Sequence, residues 1–235
     1  MDNLGFLNIL TNSFKKFLTT GSRSNEKLKI LHGAIATDLQ QRIGIEYGVH
    51  SLGYGDGREE TIGGRYIEKK ADITISYRNS NIAGIAVKFV MQNYSQNSNN
   101  YFENMLGETA NIRSKRIPYF QIFIIPDKMP YYDNKGNLRK WETFTLHNAR
   151  KYFILSKDDI NVNAHTPNKT LLFVVHLPDL QDCIRNKAEY VNAYLQMNDV
   201  KINLSNCDYG VFDSSVVLND YDKFMDKISH YILSI

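Results

Sequence analysis

The stretch KKADITISYRNSNIAGIAVKFVMQNY, Lys69 to Tyr94, decides how the chain is read. Two apolar arms flank a polar turn placed at about Arg78 to Asn81. In the first arm Asp72, Thr74 and Ser76 share one face, and Ile73, Ile75 and Tyr77 share the other. In the second arm Ala86, Lys88 and Val90 alternate with Ile85, Val87 and Phe89. A register that joins the two apolar sets predicts Asp72 nearly opposite Lys88 on the remaining face. As an exposed ion pair this contact is worth only ~0–1 kcal/mol. The neighbouring segments read as strands buried on both faces, however, and there an idle charge pair is costly.

Upstream of the hairpin, apolar residues at helical spacing predict a helix over residues 3–19. GSRSNEK breaks that pattern and offers Ser24 or Asn25 as a cap for a second helix, from about Glu26 to Gly44. GYGDGREETIGGRY reads as a loop with room for a short strand at its end. Downstream, QNYSQNSNN reads as a polar loop, and a helix is expected from near Asn99 or Asn100 to Arg113. YFQIFIIP and KTLLFVVHLP are continuous apolar runs, the pattern of strands buried on both faces. DKMPYYDNKGNLRKW between them is a loop or hairpin followed by a helix over 143–155, and further helices are expected over 179–196 and 219–234. A hairpin, a helix and a buried strand in that order imply a crossover to a parallel strand. The expected fold is α/β, a mixed central sheet flanked by helices. It forms one domain over 1–235, with a core at about 26–176 and a helical C-terminal part at 177–235.

The chain has 235 residues, a net charge of +3 and two cysteines, Cys183 and Cys207. Two unclustered thiols fit a reducing cytosol better than a disulfide scaffold. The N-terminal segment has an acid at position 2 and its basic residues after the apolar run, the reverse of a signal peptide. No apolar run reaches the ~20 residues of a membrane helix. These features predict a cytoplasmic protein. The six histidines show no paired ligand spacing, so zinc is not expected, and no GxSxG, Walker A or GxGxxG motif is present.

The carboxylates Glu103 and Glu108 follow on the next helix. Two or three carboxylates around one lysine suit a hard cation such as Mg²⁺. Such an ion polarises a phosphate and activates water, and the lysine stabilises developing charge. At these residues the sequence resembles the PD-(D/E)XK nuclease superfamily and, within it, the type II restriction endonucleases. ADITI supplies the Asp at Asp72, with Ala71 in the proline position, and AVK stands for the (Asp/Glu)-X-Lys element at Ala86 to Lys88. The resemblance covers roughly residues 26–126. Ala86 departs from the pattern, because it stands where the family usually has an acid. Some restriction enzymes recruit a glutamate from the following helix instead. Spacing favours Glu103 for that role, with a slight lead, and orientation favours Glu108. Glu46, near the end of the second helix, matches an acid that family members often use to reach the metal.

The resemblance implies a Mg²⁺-dependent endonuclease cutting double-stranded DNA at a short specific sequence, as a homodimer. Asp72 with Glu103 or Glu108 would hold the metal, and Lys88 would position the attacking water. Candidate DNA contacts are Asn93, Tyr94, Gln96 and Asn97, with Arg58, Arg65, Arg113, Lys115 and Arg116. Two other functions stay open: a catalytically silent DNA-binding or interaction protein of the same fold, which Ala86 favours, and a nuclease acting on another nucleic acid.

Overall fold

The structure is a computed structural model that describes residues 1–21, 23–180 and 183–235. Two helices come first, α1 (Asn3–Thr20) and α2 (Glu26–Ile43). Asp2 caps α1 by accepting the Gly5 N–H. Five strands follow: β1 (Tyr47–Ser51), β2 (Thr61–Gly63), β3 (Glu68–Lys70), β4 (Ile73–Tyr77) and β5 (Ser80–Phe89). Next come α3 (Tyr94–Arg113), β6 (Tyr119–Pro126), β7 (Lys128–Tyr132), β8 (Leu138–Thr143), α4 (Leu146–Ser156) and β9 (Lys169–His176). The chain ends with α5 (Lys187–Gln196), β10 (Asn203–Leu204), β11 (Val216–Leu218) and α6 (Tyr221–Leu233).

The central sheet runs β1-β4-β5-β6-β9-β10, and β11 also pairs with β9. The β1-β4 and β4-β5 pairs are antiparallel, whereas β5-β6 and β6-β9 are parallel. This is a mixed α/β fold with a mixed sheet flanked by helices. Alternation along the strands builds two cores. Ile73, Ile85, Ile122 and Phe173 point to the face covered by α1, α2, α5 and α6. Phe123, Ile125, Leu172 and Val174 point to the face covered by α3 and α4. All eight residues of β6 are buried, as its unbroken apolar run implies.

Several details differ from the sequence reading. The hairpin turn tightens to Arg78 and Asn79, both at positive φ, the geometry that follows strand twist in a two-residue loop. With a register shift between Ile75 and Ser76, Ile73 pairs with Ile85. One step further along that register, Asp72 stands across from Ala86, diagonal to Lys88 rather than opposite it. Helix α3 starts at Tyr94, several residues before the expected point, so all of QNYSQNSNN but its first two residues is helix and not a loop. A distant group explains this: the buried Glu142 carboxylate accepts both the backbone N–H and the hydroxyl of Ser95, capping the helix from β8.

The part beyond residue 177 is not purely helical. It supplies β10 and β11 to the central sheet, while α6 packs on the main core. Helix α5 begins only at Lys187, because the Asn186 side chain accepts the Glu189 N–H and starts the helix there. The rest of the helix expected over 179–196 is not helical at 179–180 and 183–186, and residues 181 and 182 lie outside the described residues.

Candidate active site

Four elements converge at one end of the hairpin. Asp72 sits just before β4, Lys88 near the end of β5, Glu108 on α3, and Gln121 on β6. Together with His32 of α2 they line one cavity of about 440 Å³. The parallel register puts Gln121 directly beside Ala86. The neighbour of the missing acid is therefore an amide.

Asp72 is fixed by a backbone contact, since its Oδ2 accepts the Val87 N–H at 2.7 Å. Burial pushes its carboxyl up to about 6; the Val87 hydrogen bond opposes that, Glu108 adds to it, and Lys88 and Lys69 oppose it. A half-buried carboxylate in a cleft whose titration is raised in this way is a recurrent mark of a functional site. Glu108 forms an ion pair with Lys69 of β3 at 2.5 Å. The Lys88 amine lies 4.2 Å from the centre of the Tyr101 ring, which holds it over the cavity as a cation–π pair. Gln121 is only 3% exposed, and its amide nitrogen has no hydrogen-bond partner among the described residues. Such a group is costly unless something else uses it. Burial, then the Glu108 and Asp72 carboxylates, push the Tyr119 phenol far above its ordinary range.

His32, Glu59 and Asp72 form a second grouping around the same aspartate. Their ligand atoms all lie within 4.8 Å of one another. His32 is 1% exposed, and neither ring nitrogen has a hydrogen-bond partner among the described residues. Burial pushes its imidazole down to about 4, so it is neutral at physiological pH. Its 4.0 Å approach to Asp72 is then no ion pair. Burial, followed by Asp72, also raises the Glu59 carboxyl.

The expected site residues divide into two sets. Asp72, Lys88 and Glu108 meet at the cavity. Glu103 is exposed and lies in the field of Lys151, and it does not line the cavity. Glu46 is exposed and lines a different depression with His50 and Glu60. Among the expected DNA contacts, Arg58, Arg65, Lys115 and Arg116 are exposed. Asn93 is engaged with the Tyr132 backbone through both ends of its amide, and Tyr94 is buried. Gln96 and Asn97 contact Asn93. His32, Glu59, Lys69 and Gln121 escape sequence reasoning, because only the tertiary fold brings them to Asp72. The one local signal is Gln121, a lone amide inside an unbroken apolar run.

Arg113 has a structural role where a DNA contact was expected. Its guanidinium donates to the carbonyls of Ile160, Asn163 and Thr166 and so ties the end of α3 to the loop before β9. Arg113→Ala should therefore lower stability by about 2–3 kcal/mol, since it leaves three carbonyls without a charged donor. A shift of the urea midpoint shows this. An unchanged midpoint with weakened DNA binding would restore the contact role. Comparison with family models, with curated proteins and with solved structures finds no match to this chain.

Proposed function

We propose that the chain is a divalent-cation-dependent nuclease that cuts double-stranded DNA at a short specific sequence, with the PD-(D/E)XK type of core. The observation that carries this reading is the meeting of Asp72, Lys88 and Glu108 in one cavity, on a hairpin followed by a helix and a parallel strand. The donor set fits a hard cation: two carboxylates, and beside them an amide whose oxygen is also a hard ligand. Asp72, Glu108 and Gln121 are the residues that would hold Mg²⁺. Bound there, the ion supplies polarisation of the phosphate and a water of lowered pKa.

The chain's own side chains do the rest. Lys69, Lys70 and Lys88 line the cavity and give it a positive mouth that draws a phosphate backbone. Lys88, steadied by the Tyr101 ring, places its charge where negative charge develops on the phosphate. A homodimer would put one cavity on each strand of a palindrome, an arrangement that rests on family analogy.

A second reading has one observation in its favour. The Lys69–Glu108 ion pair already neutralises the carboxylate that would replace the acid missing at Ala86. On that reading the protein binds DNA without cutting it. Incubation with mixed-sequence plasmid DNA and Mg²⁺ separates the two. Discrete bands are the expected result, and a smear would point to a nuclease without sequence preference. Intact plasmid that shifts in a gel would leave the silent reading standing.

A further inference from the structure

We infer that His32, Glu59 and Asp72 form a mixed nitrogen–oxygen cation site that takes a first-row divalent transition ion in preference to Mg²⁺. This deepens the nuclease reading, and its catalytic meaning rests on that reading. The binding itself does not.

The geometry suits one ion between the three groups. Donor atoms ~2.0–2.2 Å from a shared ion lie roughly 3–4.4 Å apart. The three ligand atoms lie within 4.8 Å of one another, so small side-chain rotations close the site. His32 Nδ1 and Asp72 Oδ1 are 4.0 Å apart, too far for a hydrogen bond and in range for two ligands of one ion. The two oxygens of Asp72 have separate duties. Oδ2 is taken by the Val87 N–H, while Oδ1 is the one nearest His32.

The imidazole supplies the independent observation. It is 1% exposed, with both ring nitrogens lacking a hydrogen-bond partner among the described residues. Burying such a group without a partner is costly, and coordination would give one nitrogen its partner. Its donor type also selects the ion. Mg²⁺ favours oxygen and keeps several waters, whereas imidazole suits the iron-to-zinc ions of the first row; Mn²⁺, the most weakly bound of that row, serves as its paramagnetic probe.

The backbone holds the site together. A Cβ at Gly33, next to His32, would lie 2.5 Å from the Gly53 carbonyl oxygen. Helix α2 and the loop after β1 therefore touch backbone to backbone. That contact seats the loop, which then brings Glu59 to the imidazole.

The test titrates MnCl₂ into the full chain and follows bound ion by electron paramagnetic resonance. The expected result is one site that about tenfold more Mg²⁺ does not empty. Pulsed measurement of the bound ion should show nitrogen modulation from a coordinated imidazole. His32→Gln, checked for fold by circular dichroism, should lose that modulation and at least about tenfold in affinity. The wild-type spectrum needs no variant, so a variant that misfolds does not spoil the test. No Mn²⁺ binding overturns the inference, as does bound Mn²⁺ without nitrogen modulation, the mark of exposed carboxylates alone. DNA cut with Mg²⁺ while modulation is absent would sink this site and leave the nuclease standing. Modulation present with DNA uncut under either ion would do the reverse.

Discussion

Lys88→Ala is expected to lower DNA cleavage by about 10²–10³-fold while leaving the fold and cation binding unchanged. Lys88 is exposed at the cavity, and its amine rests on the Tyr101 ring. Losing that contact costs about 0.5–1 kcal/mol, too little to unfold the chain. The same removal takes away the one lysine of the cavity that sits on the hairpin beside Asp72. Single-turnover cleavage measures the loss, and urea unfolding shows that the fold survives. Two further variants sharpen the result. Glu108→Gln should lose cleavage to a similar degree, because Glu108 lines the cavity. Glu103→Ala should cut like the wild type, because Glu103 is exposed beside Lys151 and off the cavity. Cleavage retained by Lys88→Ala would end the proposed mechanism. Cleavage lost in Glu103→Ala but kept in Glu108→Gln would move the second acid to the other site on α3.

Those opposite expectations show where sequence stops being informative. The sheet centre was legible, because β5, β6 and β9 are long apolar strands whose side chains have few alternatives. The short edges were not. YGVHS of β1 and the three-residue strands β2, β3 and β11 carry too few residues for a period to emerge. The start of α3 was hidden because its cap, Glu142, lies far along the chain. For Glu103 and Glu108, spacing gives the distance along the helix, but the rotation of that helix is set by packing of Met105 and Ile112 against separate clusters. Asp72 and Lys88 stood out because each is a charge inside an apolar strand pattern. His32 did not, because an imidazole among apolar helix positions reads as ordinary core until Glu59 and Asp72 are brought against it.

Asp72→Asn is expected to stabilise the cation-free protein and to destabilise it, relative to wild type, once a divalent ion is added. Burial, chiefly, raises the Asp72 carboxyl from its ordinary value to about 6, so the folded chain holds this proton more tightly than the unfolded one. The stability this contributes is complete below about pH 4 and is lost as pH rises through about 6. At about pH 8 the wild type carries a half-buried carboxylate that the amide avoids. The side chain is 32% exposed and two lysines offset part of the burial, so the gain is set at about 1–2 kcal/mol. For a chain of this size that is a rise in Tm of roughly 3–6 °C. The gain should vanish near about pH 4, where both side chains are neutral. A bound cation reverses the order. It favours the wild-type carboxylate and stabilises the folded state by about 2.7 kcal/mol at a hundredfold excess over its dissociation constant. Thermal melts with and without MgCl₂ or MnCl₂ test both halves. A variant less stable than wild type without cation at about pH 8 would show that Lys69 and Lys88 already satisfy the carboxylate, as a structural ion pair requires. The crossing of the two stability orders is what separates a site kept for chemistry from one kept for the fold, since a residue that weakens the protein alone and strengthens it only with a ligand is placed for the ligand.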